Sequence, residues 1–500
     1  MSAHNRFPHT RFFPAGLFLI LAASLAAGLL MPSTAAAQRV TRLHQEAWDA
    51  VDRHAGELIA LGDAIWHYAE TALTEYRSSE ELAVYLEGQG FHVERGVAGM
   101  PTAFVAEWGV GRPVVGILAE FDALPGLSYQ VATEKTPLNE GEPGHGCGHN
   151  IFGAGSVGAA VAAKEVMEAR GLEGTIRLFG CPAEETVVGK VYMARDGVFD
   201  GLDCCLDWHP GSGNAVGFSS SRALNNFTVE FFGQTAHGAG DPWNGRSALD
   251  AVELMNHAVN MLREHVPTTT RIHYVIADGG GAPNVVPGYA KVWYYVRDME
   301  RDGVEKTYAW VLKCAEAAAL ATETTHQVTL TTGVHSYLLN RPLSEMLDEI
   351  LHEIGPVEWT EEEQVFARAI QNSLGRPEVG LATDIRDMPA EERPAGGGST
   401  DVAEVSRLTP TGKINTSCWP IGSPGHSWPI VVCSGMRIGH KGMLMAARVL
   451  GAAAVELMVS PGIVDAARAE FERKTADNPY VSPLPPGQEP PVPPGPPPGF

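Results

Sequence analysis

Gly144-His145-Gly146-Cys147-Gly148-His149-Asn150 is the stretch on which the reading of this chain turns. A thiol and an imidazole two residues apart stand between glycines. They lie directly ahead of a small-residue apolar run, 151–169, with the length and composition of a helix. Glycine tolerates positive φ and close approach, so such a loop can fold around an ion. Thiolate and imidazole suit zinc and similar divalent ions. The start of a helix also favours the thiolate form of Cys147. The alternative is a glycine-rich turn in which Cys and His are incidental, and the rest of the chain decides between the two.

Outward from this loop, short apolar runs at 114–119, 175–179 and 204–208 have the pattern of buried strands, and 102–108 alternates like another. Helical runs at 151–169 and 190–195 separate them, and 40–89 carries helical periodicity. Alternating strand and helix predicts a doubly wound α/β layer. Each apolar run gives way to polar residues of a specific kind: Glu120-Phe121-Asp122, then Glu184-Glu185, then His209. Ligands of open α/β sheets bind beyond the carboxyl ends of the strands. A thiol, imidazoles and carboxylates gathered there have the donor mixture of a divalent-metal site. Two adjacent buried carboxylates repel one another. A cation bound by one relieves the conflict and leaves the other free to take a proton from water. On a surface the same Glu-Glu pair is simply solvated. Lone histidines such as His209, or His426 in Ser423-Pro424-Gly425-His426-Ser427-Trp428, are ordinarily core or loop residues.

From about Ser221 the pattern changes. Strands at 226–232, 271–277, 291–296 and 327–331, with helices at 247–265 and 305–322, give the order β-α-β-β-α-β. That order predicts an inserted ferredoxin-like α+β module. The domain plan is then an export signal at 1–37, the α/β domain at 38–220 and again at 333–474, the module at 221–332, and a disordered Pro-rich tail at 475–500. The signal is read from Arg6 and Arg11, the apolar stretch 12–31, and Ala35 and Ala37 before Gln38. It implies an exported, periplasmic protein, a membrane anchor being the alternative at that length. No later stretch is read as apolar enough to span a bilayer, so no membrane partner is expected after cleavage.

The chain carries 59 acidic residues against 36 Lys and Arg, a formal net charge of -23. That argues against nucleic acid as a partner, and an anionic substrate needs local cations to hold it. Seven cysteines is an odd number, so at least one is unpaired or a ligand. Cys147 is the candidate ligand. Cys181, Cys204, Cys205, Cys314, Cys418 and Cys433 read as buried small hydrophobes, with a disulfide left open.

The runs GILAEFDALPGLS, GHGCGHN, GCPAEE, WHPG, FFGQTAHG, GAPNVVPGYA and GSTDVAEVS together resemble the dimetal aminoacylase/carboxypeptidase metallopeptidases, most nearly the branch of the aminobenzoyl-glutamate hydrolase B subunit. The resemblance covers roughly 40–460, in order. It implies a zinc-peptidase-like catalytic domain whose insert is a lid that also serves for homodimerisation. It implies two divalent metal ions, zinc or manganese, held by Cys147, His149, Glu185, His209 and His426, with Cys147 bridging. Glu184 matches the general base and Asp122 the carboxylate that orients a ligand. In the lid, His237 matches a histidine that reaches a neighbouring subunit's site and stabilises the oxyanion. Asn284 and Arg297 match substrate-binding residues. Two departures stand out: many relatives place Asp or His where Glu120 stands, and the loop that usually ends in Asp ends here in Asn150.

The resemblance implies amide hydrolysis of an N-acyl or N-aroyl amino acid such as aminobenzoyl-glutamate, or of a dipeptide. Trp208, Trp243, Trp293 and Tyr295 are candidates for an aryl pocket, although aromatics at strand positions are more often core. Rival readings are a metal-dependent binding protein without catalysis, and a phosphoryl or ester hydrolase on the same scaffold.

Overall fold

The structure is a computed structural model that describes residues 34–493. It divides into two units, Met1–Arg42, whose described residues begin the first helix, and Leu43–Phe500. All but the last four residues of the expected export signal lie outside the described residues.

The helices in chain order are α1 (Thr34–Tyr68), α2 (Tyr76–Gly88), α3 (His149–Arg170), α4 (Gly189–Arg195), α5 (Ala248–Leu262), α6 (Arg301–Thr322), α7 (Arg341–Ile354), α8 (Glu361–Ser373), α9 (Val402–Ser406), α10 (Trp428–Ser434), α11 (Arg437–Val459) and α12 (Pro461–Thr475). The strands are β1 (His92–Arg95), β2 (Phe104–Val110), β3 (Val114–Glu120), β4 (Gly174–Cys181), β5 (Cys204–Gly211), β6 (Asn214–Val216), β7 (Ala223–Phe232), β8 (Arg271–Asp278), β9 (Tyr289–Asp298), β10 (Thr325–Val334), β11 (Ile385–Arg386) and β12 (Thr411–Ser417).

Eight strands form one sheet in the order β1-β2-β4-β3-β5-β12-β6-β11. Its centre, β4-β3-β5-β12, is parallel, while β1, β2 and β6 pair antiparallel. The expectation of a doubly wound layer therefore holds for the central four strands only. The Gly109–Gly111 turn returns the chain directly from β2 to β3, and this short connection leaves β2 antiparallel to β4. β4 and β5 lie on opposite sides of β3, so the chain reverses direction there and opens a crevice at the carboxyl ends.

Helices α3 and α11 pack on each other and on this sheet. Both are rich in Gly and Ala, which lets the backbones approach; a Cβ on Gly158 would meet Leu58 and Ala447. α11 corrects one expectation. By length and composition it is apolar enough to cross a membrane, yet 72% of its apolar window is buried inside the protein. Its hydrophobic surface is spent on α3.

The four remaining strands form the second sheet, ordered β10-β7-β9-β8 and fully antiparallel, with α5 and α6 packed on it. This is the ferredoxin-like arrangement, with its own core of Phe227, Val229, Phe231, Val252, Met255, Val292 and Tyr294. It leaves and rejoins the large domain between β6 and α7. The α/β fold with an inserted α+β module is thus as the sequence implied.

The Pro-rich tail is corrected in part. Up to residue 493 it lies against the body. Leu484 is buried, and Gln488 Nε2 donates to Tyr192 Oη and to Leu330 O, both at 2.7 Å. Proline removes backbone donors but leaves leucine, tyrosine and glutamine free to dock, and those residues hold the segment.

Candidate metal centre

The loop 144–148 has its shape because glycine is required in it. A Cβ at Gly144 would lie 2.1 Å from Leu127 O, and Gly148 sits at φ 79. Gly148 ends the loop in the left-handed region and turns the chain into α3, which starts at His149. Cys147 and His149 thereby point past the ends of β3, β4 and β5. His145 turns away: its Nε2–H donates to Ile65 O at 2.9 Å, and burial lowers its pKa to about 4.

The carboxylates reach the same place by a strained turn after β4. Ala183 and Val187 both have positive φ, 58 and 52, which is uncommon for alanine and rarer for a β-branched residue. The turn is held by three carboxylate or hydroxyl contacts. Ala183 N–H donates to Glu75 Oε1 at 2.9 Å, Glu185 N–H to Asp122 Oδ2 at 2.9 Å, and Thr332 Oγ1 to Val187 O at 2.6 Å. Strain of this kind persists where the surroundings over-determine it, commonly at functional sites.

The result is a convergence from five parts of the chain. Cys147, His149 and His209 bring ligand atoms within 4.8 Å of one another, as do Cys147, Glu185 and His426, so Cys147 belongs to both groups. A third group is Glu120, His149 and Glu184. The close pairs are Cys147 Sγ to His209 Nε2 at 3.4 Å, His426 Nε2 to Glu185 Oε2 at 3.4 Å, and His149 Nε2 to Glu120 Oε2 at 3.2 Å. Metal–ligand bonds of about 2.0–2.3 Å put neighbouring ligand atoms roughly 3–3.5 Å apart, so these are the separations of ligands about an ion.

The groups behind the donors fix which atom faces the centre. Asp122 Oδ1 accepts His149 Nδ1–H at 2.8 Å, and Pro210 O accepts His209 Nδ1–H at 2.7 Å. Both imidazoles then offer Nε2. Several buried atoms here have no hydrogen-bond partner: His149 Nε2, Glu120 Oε2 and Glu185 Oε1. Acceptors stranded in a buried site are costly, and a cation among them removes the cost. The donor set therefore fits divalent ions.

The electrostatics agree. Burial drives the Glu184 pKa well above the ordinary carboxylate range, and Glu120, Asp401 and Glu185 add to it. Burial lifts Glu185 to about 7, with His149 pulling the other way. Burial pushes the Cys147 thiol up to about 12 and His209 well below its usual value. Burial also disfavours charge on His149, but Cys147 and Asp122 outweigh it and raise its pKa well above normal. At His149 charge and geometry diverge: a raised pKa implies a proton on Nε2, whereas Nε2 makes no hydrogen bond to Glu120. Geometry decides, because a cation inverts the charge balance that favours the proton.

A cavity of about 490 Å³ opens over this centre, lined by Cys147, Glu184, Glu185, His209 and His426. Its further lining includes the cations Arg297 and Lys413, and Tyr295, Tyr337, Ser399 and Asn415. Arg297 extends from β9 of the inserted module, its guanidinium 5.4 Å from the Tyr295 ring and its Nε unpartnered. His237 and Asn284 are not brought there. They are neighbours at another part of the module, where Gly238 N–H donates to Asn284 O at 2.7 Å and His237 bridges to Val285. Of the two expected substrate-binding residues, Arg297 lines this cavity and Asn284 does not. Of the aromatic candidates, Trp208 is core and Trp243 is exposed, while Tyr295 alone lines the cavity. All seven cysteines are free.

Sequence reasoning passed over Glu75, Lys190, Asp207, Asp401 and Lys413, all at or just behind the cavity. Asp401 stood in a quoted run, and Lys190 and Asp207 stood within the runs read as a helix at 190–195 and a strand at 204–208.

Comparison with known proteins places this geometry. Residues 220–323 match the M20 peptidase dimerisation domain. The chain is 39% identical over 466 residues to the B subunit of p-aminobenzoyl-glutamate hydrolase from Escherichia coli (strain K12), covering 87% of this chain and 96% of that protein. The chain belongs to the M20 peptidase family. It is also 29% identical over 460 residues to a Xaa-Arg dipeptidase of Mus musculus, covering 89% of this chain and 95% of that one. A dinuclear metal-binding peptidase of the M20 family from Bacillus subtilis shares the fold, with a TM-score of 0.51 at 17% identity, over 82% of this chain and 99% of the other. As a member of the M20 family the protein is a metal-dependent amidohydrolase, built from a catalytic α/β domain and an inserted dimerisation lid.

Proposed function

We propose that this enzyme hydrolyses the amide bond of an N-acyl or N-aroyl amino acid with a free carboxylate, aminobenzoyl-glutamate first among them. The single observation that carries the reading is the convergence of Cys147, His149, Glu185, His209 and His426 beside a half-buried Glu184, under a cavity that Arg297 also lines. In this reading those five residues would hold two ions, zinc or manganese, with Cys147 belonging to both donor groups. Bound divalent ions supply Lewis-acid polarisation of the carbonyl and lower the pKa of water.

The chain's own groups do the rest. Asp122 keeps His149 in one tautomer. Glu184 would take a proton from the attacking water at its carboxylate and return it to the leaving nitrogen. Arg297 pairs with the substrate carboxylate, and its distance from the ions sets which bond lies over them.

His237 of the partner subunit completes the oxyanion site. The support is its position on the lid away from this chain's cavity, together with the edge strand β8, which exposes Tyr274, Val275 and Ile276. The enzyme acts as a homodimer through this lid, and it acts after export to the periplasm. The support for export is the N-terminal sequence alone, Arg6 to Ala37.

The test is a panel of aminobenzoyl-glutamate, acylated amino acids, dipeptides with basic C-terminal residues and phosphoesters, assayed with and without chelator. Chelator-sensitive turnover of the aroyl amino acid, lost in Glu184→Gln with metal content retained, is the expected result. Faster turnover of the dipeptides overturns the substrate assignment, turnover of phosphoesters alone overturns the reaction, and full activity in Glu184→Gln overturns the base.

A further inference from the structure

Arg297 and Lys413 both line the cavity, and the proposed reaction uses only the first of these cations. Arg297 comes from β9 of the lid, Lys413 from β12 of the catalytic domain. β12 runs parallel beside β5, with Lys413 opposite Asp207 and Asn415 opposite His209. Residues two apart on a strand share a face, so Asp207 lies on the face of His209, about 7 Å further down the strand. Lys413 stands beside Asp207 on the next strand, one layer below the metal donors.

Asp207 is fully buried, and neither of its oxygens has a hydrogen-bond partner. Lys413 Nζ lies 3.5 Å from Oδ2, an ion pair without a hydrogen bond. The opposite charge holds the ammonium at this depth, where an uncompensated one would be costly. It does not occupy the ammonium's donors, and the Lys413 side chain, 21% exposed, faces the cavity it lines. The stem is fixed from the other side: a Cβ at Gly217 would lie 2.9 Å from Lys413 Cγ.

The two cations sit on adjoining walls. Gly217 begins a segment whose Ser219, Ser220 and Ser221 line the same space. The next residue, Arg222, donates its N–H to Gly398 O at 2.9 Å, and Arg297 Nη1 donates to Gly397 O at 3.4 Å. The wall that carries Lys413 and the one that carries Arg297 therefore meet at the 396–400 loop. With the scissile bond at the metal donors and one carboxylate on Arg297, a second carboxylate on the same amino acid has Lys413 as its partner.

We infer that Lys413 is a specificity-determining residue that pairs with the side-chain carboxylate of the substrate's amino acid, so that the enzyme selects N-acyl derivatives of dicarboxylic amino acids over neutral and basic ones. The inference rests on the amide-hydrolase reading above and deepens it. A neutral side chain would bury the ammonium's donors against nothing that accepts them, and a basic one would meet a like charge. Discrimination then comes from the cost of the wrong partner as well as the gain from the right one.

The experiment measures kcat/KM of the full-length, metal-loaded enzyme on aminobenzoyl-glutamate, aminobenzoyl-glutamine and aminobenzoyl-lysine. Wild type, Lys413→Gln and Lys413→Met are compared, with circular dichroism as the folding control. Glutamine has the shape of glutamate without its charge, so wild type should favour the glutamate derivative over it by about 10–100-fold, the usual effect of a hydrogen bond to a charged group. The lysine derivative should be slowest. In either Lys413 variant the glutamate-to-glutamine ratio should collapse toward unity, mainly through a higher KM for the glutamate derivative. Lys413→Arg, which keeps the charge, should retain most of the ratio. A ratio near or below unity in wild type, or the wild-type ratio in a folded Lys413→Gln or Lys413→Met enzyme, overturns the inference and leaves Lys413 as the counter-ion of Asp207 only. A wild type that hydrolyses none of the three substrates overturns the amide-hydrolase reading itself, and the inference with it.

Discussion

Replacing Asp122 by Asn removes one oxygen from a residue that uses both. Oδ1 accepts His149 Nδ1–H at 2.8 Å and Oδ2 accepts Glu185 N–H at 2.9 Å. The side chain is fully buried. Burial raises its pKa, but His149 outweighs burial and holds it below the ordinary carboxylate value, so the native group is charged. An amide has one acceptor. If its oxygen faces His149, its NH2 meets the Glu185 N–H, donor against donor. If it is flipped, the NH2 meets His149 Nδ1 and forces the proton to Nε2, the atom that should bind metal. The first arrangement strands a buried donor, at about 1–3 kcal/mol; the second turns the Nε2–H onto Glu120 Oε2, 3.2 Å away, and takes that nitrogen from the metal. Loss of a group that orients a ligand typically weakens metal binding about 10–100-fold, and at about 1.4 kcal/mol per tenfold that falls in the same range. The assay is chelator competition for both ions, with thermal unfolding of the metal-free protein in parallel. Wild-type metal affinity and an unchanged Tm in Asp122→Asn would refute the reasoning.

Four further outcomes are expected of the same structure. Cys147→Ser should bind fewer than two ions per chain by elemental analysis and lose turnover, because the thiol belongs to both donor groups. His44 is buried between Glu353 and Glu456, which overcome the effect of burial and raise its pKa. Its stabilising effect is therefore present in full below the unfolded value near 6.5 and is lost as pH rises through the folded pKa. Denaturant midpoints of wild type should fall across that window, and those of His44→Ala should be flatter. Gly442→Ala puts a Cβ 2.3 Å from Ser417 O and 2.4 Å from Cys418 Sγ, and should cost about 1–3 kcal/mol by urea unfolding. Leu484→Ala should release the C-terminal segment, at a cost near the low end of the ~2–5 kcal/mol range for buried leucines, read as faster proteolysis after residue 475.

How far the sequence was legible depends on how local each cause is. The glycine loop was legible because Gly144 to Asn150 carries its donors and its conformational freedom in seven consecutive residues. The central strands were legible because burial on both faces gives largely apolar runs, as in β3. β1, sequence His-Val-Glu-Arg, was not, since an edge strand with three polar residues has no pattern to read. Lys190 reads in the sequence as an ordinary solvated lysine on a short helix. Its burial comes from Glu120 and Asp401, 70 and 211 positions away, and pairing at that distance leaves no local trace. Asp122 was assigned from resemblance, while Glu75, which anchors the turn carrying Glu184 through Ala183 N–H, has no neighbouring motif to reveal it.

The proposed function rests on two ions sharing the Cys147 thiolate. Crystals of the metal-loaded protein, measured at the absorption edges of zinc and manganese, test that directly. Two anomalous peaks about 3.5–4 Å apart, both touching Cys147 Sγ, one flanked by His149 and His209 and the other by Glu185 and His426, are the predicted result. An active protein whose metal lies anywhere else, or which shows no peak beside Cys147, contradicts it.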